Sequence, residues 1–225
     1  MTIVFAALLA IAGSSFGADE PVPVYEEPMH RLLFDSGEAR VLELYVPPDA
    51  TTLFHTHNSP LFNITISFAA IRLQRAGEEW RLLPAPGPVT GDVAFDDSYS
   101  SEPLTHRVRN VGDKVLHSIL IINEHDAPAA NAEVALPGVV NIDSPWFRQS
   151  RIELAGGEVV DWPGTNVAVF FVLVSDTHVT LTGPGGRQKF GMTWTGNFTP
   201  VPPGFPVRIA NHSKETAILI AVAPL

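Results

Sequence analysis

A chain of 225 residues is long enough for one large all-β domain or two domains of about 100 residues each. With 45% hydrophobic and 17% charged residues it is a folded chain, and a net charge of -10 without a basic stripe argues against nucleic acid as a partner. The absence of cysteine excludes disulfides and thiolate ligands, so a bound metal would have to use imidazole or oxygen.

In chain order, the apolar run Ile3 to Ala12 is followed by Gly13-Ser14-Ser15-Phe16-Gly17-Ala18. The run is shorter than the roughly 20 residues that span a bilayer, and it reads as a signal peptide over 1–18, with a periplasmic or secreted product and no membrane span after cleavage. Residues 19–30, rich in Pro and Glu, read as an extended lead-in. Short apolar stretches punctuated by 20 Pro and 17 Gly then favour strands joined by turns. The expected strands are 40–46, 51–57, 61–68, 70–74, 80–83, 91–95, 106–110 and 114–122. A stretch of little periodicity, 127–145, reads as a linker with a short helix near 129–134. Strands resume at 150–154, 167–174, 178–182, 189–193, 207–210 and 216–222.

His55-Thr56-His57 lies in one of these strands. Side chains alternate faces with period 2, so the two imidazoles point the same way. His106, from a neighbouring strand, can complete a three-nitrogen face around one ion and leave other positions open for water or substrate. Three imidazoles suit a divalent transition metal (Fe, Mn, Zn, Ni or Cu) rather than Ca or Mg. Phe62 and Phe95 are candidate pocket-lining residues, Asn63 a candidate polar contact, and His117 a core histidine or a support behind the metal. Arg107 and Arg109 alternate with His106 and should point outward. His30, His125, His178 and His212 have no partner at ligand spacing and read as surface residues.

The two halves resemble each other. His106-Arg107-Val108-Arg109-Asn110 lies over Val207-Arg208-Ile209-Ala210-Asn211, and Leu53 to Leu73 lies without a gap over Asp161 to Leu181, with Pro163-Gly164-Thr165 over the paired histidines. This is the pattern of a duplication in which the second copy has lost all three histidines.

These motifs resemble the cupin superfamily. His55 and His57 match the paired histidines of its first motif; Gly91, His106 and Asn110 match the opening glycine and His-x3-Asn of its second. In the second unit, Pro202 to Asn211 matches Pro-x-Gly-x2-His-x3-Asn with Val207 in the histidine's place. The resemblance implies an all-β fold of two tandem cupin-type jelly-roll barrels, a first domain over 19–126 and a degenerate second over 146–225. It departs from the family at Leu61 and Phe62, where a glutamate is expected, and in the longer loop Asp96 to Pro103. The implied function is that of an exported metal-dependent oxidoreductase (a dioxygenase), isomerase or lyase acting on a small organic molecule. The alternative is a non-catalytic periplasmic small-molecule-binding or assembly protein. A small-molecule ligand is the expected partner, with a homodimer left open.

Overall fold

The computed structural model describes residues 20–83, 86–127 and 134–225; the expected signal peptide, and the expected helix up to residue 133, lie outside them. The first half contains β1 (Val22–Pro23), β2 (His30–Asp35), β3 (Ala39–Val46), β4 (His55–His57), β5 (Leu61–Ser67), β6 (Ile71–Arg75), β7 (Arg81–Leu83), β8 (Val93–Asp96), β9 (Leu104–Asn110) and β10 (Leu116–Asn123). They form two five-stranded sheets in the orders β1-β4-β9-β6-β7 and β2-β3-β10-β5-β8. The second half contains β11 (Val139–Asp143), β12 (Phe147–Leu154), β13 (Val159–Trp162), β14 (Val169–Leu173), β15 (Val179–Thr182), β16 (Lys189–Met192), β17 (Phe198–Val201), β18 (Val207–Asn211) and β19 (Ala217–Pro224). Its sheets run β11-β12-β19-β14-β17 and β13-β18-β15-β16. With β1 set aside, the strand orders of the two halves are identical. The protein is all-β, two jelly-roll barrels in tandem.

Five strands are additions to the sequence expectation: β1 and β2, which fall in or overlap the extended lead-in, β13, β17, and β11 inside the stretch read as linker. The strand expected from residue 51 is reduced to β4, preceded by a single bridge between Thr51 and Arg109. The second half of the repeat is offset by one residue at this point. His55 pairs with His106 across β4 and β9, whereas Trp162 pairs with Val207 across β13 and β18. Trp162 and Gly164, rather than Pro163 and Thr165, therefore occupy the places of His55 and His57.

The barrels meet sheet against sheet. Phe62, Ile64, Ile119 and Ile121 of the first interlock with Phe147, Phe170, Val172, Ile220 and Val222 of the second. This explains the near-continuous apolar sequences of β10 and β14: one set of alternate residues fills its own barrel, and the other set fills the seam. Inside the second barrel, one unbroken apolar cluster includes Trp162 and Val207. Inside the first, the apolar residues divide into two smaller clusters. The histidines belong to neither.

Asn110 and Asn211 carry the repeat at atomic detail. Each buried amide donates to carbonyls of its barrel, Asn110 to Val46 and Lys114 and Asn211 to Leu154, Ala155 and Glu215. Each also accepts a backbone N–H two residues on, from Gly112 and Ser213. Replacing Asn211 with Ala strands these carbonyls and should lower unfolding free energy by about 2 kcal/mol in urea titrations. An unchanged midpoint would show that the clamp contributes nothing.

Candidate metal centre

β4 has only three residues, ended by Asn58-Ser59-Pro60. Period 2 turns His55 and His57 inward, and the register with β9 sets His106 directly opposite His55. One nitrogen from each of the three rings lies within 4.8 Å of the others.

The ring nitrogens are not equivalent. His55 donates from Nδ1 to the carbonyl of Leu53 at 3.0 Å, which leaves its Nε2 lone pair available. His57 Nε2 and His106 Nε2 are 3.0 Å apart. Two imidazole nitrogens about 2.1 Å from one ion and at right angles would be separated by about 3.0 Å, so this spacing fits a shared metal. The Nδ1 atoms of His57 and His106 are buried without a partner among the described residues; the Tyr99 ring, centred 5.4 Å from that of His57, helps to hold it.

Burial is the main reason all three imidazoles resist protonation. It pushes His57 down to about 2 and His106 to about 4, and His55 in the same direction. Charge repulsion adds to it, from His30 at all three, from the other cluster histidines at His55 and from His106 at His57, with Arg75 contributing at His106. Neutral imidazole is the form that binds metal.

His30, expected at the surface, is only 4% exposed, with its ring centred 4.4 Å from that of His55. Its Nδ1 lies 2.6 Å from Glu27 Oε2. Glu27 is buried as well, and accepts N–H bonds from Met29 and Leu53. The backbone of Leu53, through its N–H and its carbonyl, thus connects the Glu27 carboxylate to the ring of His55. Both residues arrive here because β1 pairs in parallel with β4, Val22 beside His55, and draws the lead-in across the barrel. No spacing in the sequence signals that pairing. His125, His178 and His212 are exposed.

The candidate pocket residues divide. Phe62 is buried in the seam, 5.5 Å from the ring of Phe147, and Phe95 reaches the same Phe147 ring at 6.4 Å. His117 bonds to Glu43 Oε1 at 3.1 Å and stands edge-on to Tyr45. On β10 it shares the seam-facing set with Ile119 and Ile121, so it does not support the three histidines. Asn63 alone is on the inward face of β5, paired with Leu120. Arg107 is outward, bonded to Gln74 and stacked over Phe54 and Trp80. A narrow cleft reaches His57 between Val24, Tyr25, Ser59 and Glu124. Glu124 is fixed there by Arg40 and Ser59.

No protein-family model and no curated protein matches the sequence. Solved structures do. AerE from Microcystis aeruginosa superposes with a TM-score of 0.63 at 14% identity, over 91% of this chain and 98% of that one. Salicylate 1,2-dioxygenase from Pseudoaminobacter salicylatoxidans, in adducts with gentisate, gives 0.60 at 10% identity, over 84% and 69%. A cupin 2 conserved barrel domain protein from Leptotrichia buccalis gives 0.54 at 10% identity, over 87% and 88%. At these identities the likeness is one of fold. The chain has the fold of the cupin superfamily twice over, with its histidine cluster in the first barrel.

Proposed function

We propose that His55, His57 and His106 hold one divalent transition-metal ion, and that the protein is a metal-dependent enzyme of the dioxygenase kind acting on a small organic molecule. The observation that carries this reading is the 3.0 Å approach of His57 Nε2 to His106 Nε2, beside a His55 whose Nδ1 is already engaged. The similarity to a salicylate dioxygenase supports oxygen chemistry over isomerase or lyase chemistry. When bound, the ion supplies Lewis acidity undiminished by a carboxylate ligand, because Leu61 and Phe62 stand where the family has its acid. The chain's own residues bind and orient. Leu53 fixes the tautomer of His55, Tyr99 braces His57, and the Val24–Tyr25 wall limits access of water. Export remains part of this proposal on the strength of the Ile3 to Ala12 run, and would yield a mature N-terminus near Ala18.

Elemental mass spectrometry on purified wild type should find close to one equivalent of Fe, Mn, Ni, Cu or Zn. In His57→Ala, affinity should fall about a hundredfold or more, since a zinc site worth about 10–16 kcal/mol divides among three ligands into about 3–5 kcal/mol each. Metal absent from wild type even after reconstitution would leave the alternative, a barrel that binds a small molecule without catalysis.

A further inference from the structure

We propose that Arg75 makes the first barrel selective for small organic acids, its guanidinium receiving the substrate's carboxylate; this rests on the metal reading above. Arg75 is the last residue of β6 and pairs directly with His106, so the two side chains share a face. The neighbouring pair, Gln74 and Arg107, bonds at 2.7 Å outside the barrel, so alternation sets Arg75 on the opposite face, with His106. It is nonetheless exposed, because β6 ends there, and its guanidinium makes no ion pair among the described residues. Its charge is felt by both His106 and Tyr99. Tyr99, half-buried with its ring centred 5.4 Å from that of His57, holds its phenol proton more firmly than usual through burial and through the charge and hydrogen bond of Asp96, so that proton is directed to Asp96.

Charge balance gives the same answer. Three neutral imidazoles put no counter-charge on a bound ion; of the nearby carboxylates, Glu27 lies behind His30 and Leu53 and Glu124 is paired with Arg40, so neither is a ligand. A buried charge without a counter-charge is costly, so the site favours an anionic occupant. The planar fork of N–H donors on a guanidinium matches the two oxygens of a carboxylate.

Calorimetry on the full chain loaded with Co(II) would test this, with benzoate and its neutral isostere benzamide as probes. Benzoate should bind wild type about tenfold or more tighter than benzamide, as expected for a charge-assisted contact. Arg75→Met should erase that preference while keeping its Co(II) and its affinity for benzamide, and Arg75→Lys should restore part of it. Equal binding of the two probes, no binding of benzoate, or unchanged benzoate affinity in Arg75→Met would each overturn the role of Arg75 and leave the metal site standing. Failure of wild type to take up Co(II) would sink the metal reading and this inference with it.

Discussion

Metal-free protein is expected to lose stability steeply as the pH falls below about 6.5. His55, His57 and His106 all have folded-state values below the ordinary 6.5 of histidine, with His106 near 4 and His57 near 2. Between pH 6.5 and 4 the unfolded chain therefore binds protons that the folded chain refuses. Stability is fully present above the unfolded value and drains away as acid is added, by up to about 1.4 kcal/mol per pH unit for each histidine and about 4 kcal/mol for the three. Urea unfolding of the chelated protein at pH 7, 6 and 5 reads this directly. His117, also held down by burial, acts in the same direction, so the control is a variant with all three cluster histidines changed to Gln. Its stability should depend less on pH than that of wild type, by about the same slope. Parallel curves for the two proteins would show that the cluster histidines titrate freely in the fold. Metal added to wild type should raise the whole curve, since an ion that binds only the folded state stabilises it by mass action.

Glu27→Ala is expected to damage both the fold and the site. The carboxylate is 2% exposed and accepts from His30 Nδ1 at 2.6 Å, Met29 N at 2.9 Å and Leu53 N at 3.1 Å. Removing it leaves one buried and two part-buried donors without an acceptor, a loss of about 3–5 kcal/mol in unfolding free energy. The Leu53 carbonyl also orients His55, so metal affinity should fall about 10- to 100-fold, as for other groups that hold a ligand from behind. Glu27→Gln separates the two effects. It keeps the volume and one acceptor oxygen, so it should lose only about 1–3 kcal/mol. Competition titration with a metal chelator reads affinity in both variants. Wild-type affinity in a folded Glu27→Gln and Glu27→Ala pair would confine Glu27 to a role in stability.

Much of the fold was legible in the chain. The stretches around 40–46, 61–68, 114–122 and 216–222 each sit within two residues of an observed strand, because period-2 burial and Gly or Pro punctuation are local properties. His55-x-His57 shares a face for the same local reason. The facing of Phe62, Phe95 and His117 could not be read, although their alternation was visible. Both faces of the central strands β10 and β5 are buried, one in the barrel and one against Phe147 and Phe170, and β8 at the edge carries Phe95 onto the same seam while leaving it partly exposed. Hydrophobicity then no longer distinguishes inside from outside. His30 illustrates a second limit. Its burial depends on β1 pairing in parallel with β4, more than thirty residues downstream, and a two-residue strand leaves no periodicity to detect.

The sequence by itself determined the all-β class, the duplication, a donor set restricted to nitrogen and oxygen, and the loss of ligands in the second copy. All of these follow from residue type and near-neighbour spacing. Only the tertiary structure decided which face became the inside of each barrel and which residues stand behind the ligands. It also decided that Trp162 and Val207 join a continuous apolar core where the first barrel keeps imidazoles. Those outcomes depend on which distant strands pair and which sheets stack, and burial against a distant partner is not written in the local alternation of a strand.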